Sequence, residues 1–488
     1  MEASGQQQSE AFLRSIPKTD LHIHLDGSLR LSTLMELSKE QGHALPAETE
    51  DGLQEAVFKR GKFADLFEYL DCFRYTTQVL QDPASLERVS YELACDLFAD
   101  NVRYFEVRFA PQLHADSVGD TGFTVLAVIA SVCAGLERAK TEWNARDEGV
   151  ARGPDGNPPF ECGVICCAMR LFSAETSRYY GAFIGLHRHE DMARVNGLAS
   201  MAIACAAWRA KEAGLGVVGI DLAGAEAAAG GVGEAHHHAE AFEWARQHYL
   251  ARTVHAGEAL GPESMREAVM ALHAQRIGHG FALFSQQLVS HAAVVPNRFG
   301  DVDARAVPRY DPLSLPAATA AERALTPLSS TALELGRGGG AAAAGVLLDE
   351  SERRSKYVLD LSEEMGRSNV CIEVCLSSNV GTMPILQGGA ALHKHALGQM
   401  LESRLRVSLA TDNMLVSNTT VLNEYRLAIE TFGLSRAQVK TIAIDGIRSA
   451  FFPGTCAAKR AYTRQWVAMY ERAEVAAFGD TETHFTFQ

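Results

Sequence analysis

The strongest constraint on this chain is an alternation. Short apolar runs with strand character recur along it, each followed by one or more segments of helical periodicity. The runs are Thr19–His24, Arg103–Phe109, Gly163–Arg170, Val217–Leu222, Arg252–His255, Arg276–His279, Val370–Cys375 and Arg406–Asp412. Between them lie amphipathic stretches such as Phe63–Leu80, Ser85–Ala99, Gly122–Trp143, His237–Leu250 and Glu424–Phe432. Alternating strand and helix implies a parallel sheet. Eight repeats predict an α/β fold, a (β/α)8 barrel of the TIM type with extra helices. The runs at 252 and 276 are short, and their placement leans on the motifs they carry.

Two stretches break the rhythm. Arg146–Phe160 is rich in Gly, Pro and Asp and reads as a surface loop. Residues 294–346 hold scattered Pro, the run Gly336-Arg-Gly-Gly-Gly340 and an Ala tract, with no hydrophobic period. They read as a low-complexity, largely disordered insertion between the sixth and seventh strands. The expected organisation is one barrel domain over 11–475, closed by a helix at Ala457–Ala473. A chain of 488 residues could hold several domains, but barrels run large as single units.

Composition limits the partners. With 60 acidic against 45 basic residues and a net charge of -15, the chain lacks the basic face that nucleic acid requires. An uncharged small molecule stays open. The N-terminal segment carries no apolar run with a basic flank, and no stretch is long and apolar enough for a membrane span. The ten cysteines are scattered and form no C-x-x-C pair, so reduced thiols and a cytoplasmic setting are expected. No obligate protein partner is indicated.

Chemistry-bearing residues collect at the ends of the expected strands. His22 and His24 are two apart on one strand, so both side chains point to the same side and could chelate a metal. Two core or surface histidines would give the same pattern. The strand at 252 ends in His255-Ala-Gly-Glu258, a third imidazole followed by a carboxylate suited to proton transfer. The next ends in His279 between two glycines, able to reach a bound water or equally to serve as a loop histidine. Asp412 closes the eighth run as an oxygen ligand or a helix cap. Catalysis in such barrels sits on this face. Together the residues point to a metal-dependent hydrolase.

The blocks Pro17–Arg30, Tyr104–Pro111, Asp221–Gly224, His255–Glu258, Arg276–Gly280, Cys375–Asn379 and Thr411-Asp412 occur in the order of the adenosine deaminase family, which the chain resembles from about residue 11 to 460. The resemblance implies one zinc ion per chain, held by His22, His24, His255 and Asp412, and hydroxide attack at C6 of a purine nucleoside. It implies Glu258 as proton donor to N1, with His279 and Asp412 orienting the attacking oxygen. His24 would also line the substrate site, Gly224 would offer its N–H to N3, and Asp26 would accept from a ribose hydroxyl. A carboxylate there disfavours a 5′-phosphate, although Arg30 lies close in sequence. Phe63, Leu66, Phe67 and Leu70 would form one apolar face of a helix over the ribose end, or an ordinary buried face.

The sequence departs from the family at Asn413, where a second Asp is usual. An amide can donate directly to N7, whereas a carboxyl must be protonated to do so. The substrate implied is adenosine and 2′-deoxyadenosine. Alternatives are AMP, N6-methyl-AMP, adenine or a 5′-thio-adenosine. A binuclear amidohydrolase would need a bridging lysine where Gly224 stands, and a silent binding relative would lack a ligand or Glu258. The H-x-E with P-C-x-x-C signature of cytidine-deaminase-type enzymes is missing.

Overall fold

The eight expected strands are present, all parallel, in one sheet ordered by sequence. They are β1 (Lys18–His24), β2 (Val102–Phe109), β3 (Glu161–Met169), β4 (Val217–Ala223), β5 (Ala251–Ala256), β6 (Arg276–His279), β7 (Cys371–Val374) and β8 (Arg406–Leu409). This computed structural model describes residues 10–119, 121–147, 156–226, 234–294, 349–383, 386 and 391–481. Beyond β8 the chain closes the barrel onto β1. His24 N donates to Asp412 O at 2.7 Å, and Asp412 N donates to His22 O at 2.8 Å. Asp20 on β1 also accepts from the Thr411 hydroxyl at 2.5 Å.

Strands of a closed parallel barrel are covered on both faces, which is why they read as nearly continuous apolar runs. β2 is buried at all of its eight positions. Its alternate residues Tyr104, Glu106 and Arg108 turn inward, so polar groups enter the barrel interior without breaking the outer apolar layer. Helices around the sheet start on short polar caps: Asp82 before Pro83, Thr124, Asp191, Ser435 and Thr455 each accept a backbone N–H in the first turn. The tail helix spans Cys456–Phe478 and packs Tyr470 edge-on against Phe12, their ring centroids 5.9 Å apart.

Three expectations need correction. Phe63–Leu80 is two short helices, Leu66–Asp71 and Phe73–Thr77. Asp65 caps the first by accepting from Glu68 N, so Phe63 lies outside it. The expected single apolar face therefore fails: Phe63 is buried while Phe67 is 53% exposed. A helix not anticipated runs over Glu350–Arg367 ahead of β7, started by a capping box between Asp349 and Glu352. The stretch expected to loop from Arg146 begins as helix, since Val125–Arg146 is one element; residues 148–155 lie outside the described residues. So does the anticipated insertion apart from Val294. Among the described residues no helix is long and apolar enough to cross a membrane. All ten cysteines are free thiols.

Candidate active site

The strand ends bring four donors together. Ligand atoms of His22, His24, His255 and Asp412 lie within 4.8 Å of one another. His24 Nε2 stands 3.2 Å from His255 Nε2. Asp412 Oδ1 lies 3.3 Å from His22 Nε2 and 3.4 Å from His24 Nε2. The other Asp412 oxygen accepts from Ser378 Oγ at 2.7 Å and Tyr69 Oη at 3.2 Å, which leaves Oδ1 for the cage.

The imidazoles are aimed from behind. His22 Nδ1 meets Glu373 Oε2 at 2.7 Å, and His255 Nδ1 stands 2.9 Å from Asp221 Oδ2. A carboxylate behind a ring favours the proton on Nδ1 and leaves Nε2 as the free donor. His22 Nε2 is buried and has no hydrogen-bond partner. Arg108 bridges the two carboxylates, at 3.0 Å from Asp221 and 2.8 Å from Glu373, and donates to Leu21 O at 2.6 Å. Arg276 donates to the far side of Glu373 at 2.6 Å and also pairs with Glu106. Two glycines give the room this needs. A Cβ at Gly278 would stand 2.7 Å from His22 Cε1. Gly224, at φ 95°, presents its backbone at the end of β4 with the Met169 methyl beside it.

The charges show what the cage can hold. Within this network the carboxylates of Glu106, Asp221, Glu373 and Asp412 face the guanidiniums of Arg108 and Arg276, four negative against two positive. An excess of buried carboxylates over guanidiniums is costly unless a further cation joins the network. A divalent cation among three imidazoles and one carboxylate offsets that excess, and that donor set suits such an ion.

The remaining expected residues border the cage. Glu258 is buried, with Oε1 3.6 Å from His279 Nε2. Burial, then the nearby Asp412 and Glu226 charges, push its carboxyl well above the usual carboxylate range. His279 Nδ1 lies 3.4 Å from the Asn379 amide nitrogen. His279 and Asp412 adopt φ 67° and 60°, a left-handed conformation uncommon outside glycine. Asn413 Nδ2 donates to Tyr69 Oη at 2.7 Å, which leaves Oδ1 buried and unpaired. Asp26 is buried with Oδ1 unpaired, its carboxyl raised to about 7 by burial. His114 Nε2 lies 3.9 Å from its other oxygen. Arg30 points elsewhere and grips Asp96 through Nη2 at 2.6 Å and Nε at 2.9 Å.

The sequence assigns no role to Glu373, Asp221, Arg108, Tyr69 or Ser378, although Arg108, Asp221 and Ser378 lie within the blocks that carry the family resemblance. For Glu373 a signal existed: a lone carboxylate inside the buried strand Cys-Ile-Glu-Val must find partners inside the barrel.

Residues 17–293 and 353–461 match the sequence model described as adenosine deaminase. An adenosine deaminase of Mycolicibacterium vanbaalenii is 31% identical over 440 residues, covering 90% of this chain and 91% of the relative. The fold is similar to that of the Arabidopsis N6-mAMP deaminase, with TM-score 0.57 and 21% identity over 92% of this chain and 97% of that one. It is also similar to a Burkholderia ambifaria amidohydrolase with bound Zn, with TM-score 0.62 and 16% identity over 97% and 95% of the two chains. On the extent of these matches the chain is a hydrolase and belongs to the adenosine deaminase family.

Proposed function

We propose that this protein hydrolyses adenosine and 2′-deoxyadenosine to the inosines and ammonia, with one zinc ion held by His22, His24, His255 and Asp412. The observation that carries the reading is a four-donor cage beside a buried Glu258 that faces His279 and whose carboxyl burial pushes well above its usual range. Zinc in that cage supplies hydroxide near neutrality by lowering the pKa of a water towards about 7.

The protein's own groups do the rest. Glu258 donates its proton to purine N1, which makes C6 electrophilic; as a carboxylate it then takes the proton of the hydroxyl added at C6 and passes it to the amino nitrogen, which leaves as ammonia while the C6–O bond becomes the carbonyl. His279 faces Glu258 and steadies the oxygen added at C6. Gly224 offers its N–H to N3. Asn413 recognises N7: a half-turn of its amide presents Nδ2 to the ring, and Tyr69 turns its one hydroxyl proton from Asp412 to the amide Oδ1, while Ser378 keeps its bond to Asp412. Both ends of the amide are then paired.

The ribose end favours a nucleoside. Asp26 presents an unpaired oxygen to a hydroxyl, and burial holds His114 neutral with its pKa at about 4. The Arg30 charge is committed to Asp96. No cation faces a 5′-phosphate from Asp26, His114 or Arg30. The barrel closing around this site supports reading 11–475 as one domain.

The test is to incubate the purified, zinc-loaded protein with adenosine, AMP, N6-methyl-AMP and adenine, and to follow the oxopurine products and ammonia. Rapid turnover of adenosine, abolished in Glu258→Gln, is expected. A folded, metal-loaded protein that leaves adenosine untouched would refute the substrate, and turnover of one of the others would name its replacement.

A further inference from the structure

One carboxylate holds the loop that carries Glu258. Glu226, two residues beyond Gly224, is buried at 5% exposure. Its Oε1 accepts from Gly257 N at 2.8 Å and from the Ser264 hydroxyl. Its Oε2 accepts from Ala259 N at 2.7 Å and Leu260 N at 2.9 Å. The three amides flank Glu258 on both sides and lie between β5 and the helix Pro262–Met270, and Ser264 sits in the first turn of that helix.

We infer that Glu226 is a positioning residue: it clamps the Gly257–Leu260 turn and so fixes where Glu258 delivers its proton. The inference rests on Glu258 being the proton donor proposed above. A loop has no ladder of its own, and here a single side chain replaces it. A carboxylate has acceptor sites for all four donors and no proton to offend them. The same loop end also carries Gly224, so the contact expected at N3 and the seat of the acid move as one piece. Proton delivery depends on sub-ångström placement, and a misplacement of about 1 Å costs on the order of 10²-fold in rate. Glu226 therefore acts on kcat through Glu258, without touching the substrate.

The experiment compares wild type, Glu226→Ala and Glu226→Gln in steady-state adenosine deamination and in amide hydrogen exchange. Glu226→Ala is expected to lower kcat by about 10²-fold while KM changes less than about threefold. Glu226→Gln should fall between: its one oxygen can serve Ala259 and Leu260, while its NH2 confronts the Gly257 N–H. The Gly257 amide should exchange faster in both variants, and the Ala259 and Leu260 amides faster in Glu226→Ala. Unchanged kcat in a folded variant, a rise in KM alone, or unchanged exchange at these amides would overturn the inference. If Glu226→Ala does not fold, the Gln variant decides. Exchange needs no substrate, so a wild type inactive on adenosine would defeat the functional reading and still leave the clamp tested.

Discussion

Replacing Glu373 by Gln tests the barrel interior most directly. The carboxylate accepts from four donors: His22 Nδ1 at 2.7 Å, Arg108 Nη2 at 2.8 Å, Arg276 Nε at 2.6 Å and Thr253 Oγ1 at 3.0 Å. An amide has one oxygen, so two donors must face its NH2. If the oxygen stays with Arg276 and Thr253, the NH2 donates to His22 Nδ1. The imidazole proton then moves to Nε2, the atom the cage needs. If the oxygen stays with His22 and Arg108, Thr253 can reverse its hydroxyl, and only the Arg276 bond is lost. The second orientation costs less, about 1.5–3 kcal/mol for one charge-assisted bond. All these groups are buried, so solvent does not screen the loss. In either orientation His22 loses its anionic support, which should weaken metal binding about 10–100-fold. Chelator competition reads the metal affinity, and denaturant unfolding of the metal-free protein reads the stability. Metal affinity within about threefold of wild type, with unchanged unfolding, would refute the idea that Glu373 aims His22.

Three further outcomes are expected. Glu258→Gln should still bind substrate but lose about 10²–10⁴-fold in kcat, checked by single-turnover kinetics. Gly278→Ala places a methyl 2.7 Å from His22 Cε1, so it should lower metal occupancy, read by elemental analysis after gel filtration. Burial lowers the His238 pKa from 6.5 to about 3, so its neutral form is preferred in the folded state. The stability it contributes is complete above pH 6.5 and is lost as the pH falls towards about 3. His238→Gln should therefore flatten the stability–pH curve across that window by about 1.4 kcal/mol per pH unit, measured by denaturant titration.

The barrel was legible because its strands are covered on both faces. That burial writes each strand as an apolar run, and the ends of the runs carry the histidines. The eighth run extends to Asp412, whereas β8 ends at Leu409, because Ala410–Asp412 leaves the regular ladder and is held to β1 by the closing bonds at His22 and His24 and by the Thr411 bonds to Asp20. The helix Glu350–Arg367 was illegible: it is dense in charge, with few buried residues on a narrow stripe. The supports of the site were hidden for another reason. Arg108 and Asp221 stand in different strands, and nothing in either strand's own pattern says that one guanidinium joins Asp221 to Glu373 across the barrel. Phe67 misled because periodicity assumed an uninterrupted helix, and the Asp65 cap starts a new one.

The interior charges link fold and function. An apolar barrel core of this size would be the simpler way to stabilise a sheet, and buried ion pairs are poor sources of stability. Here every guanidinium in the network contacts a carboxylate that aims a cage histidine: Arg108 holds Asp221 and Glu373, and Arg276 holds Glu373 from the other side. The arrangement is therefore poorly explained as packing and well explained as alignment. It keeps two imidazoles in one tautomer and one orientation. It also leaves the interior short of positive charge at the strand ends, where four donors converge. A barrel wired in this way is most stable with a cation in place. The demand for alignment and the demand for charge balance are met by the same ion.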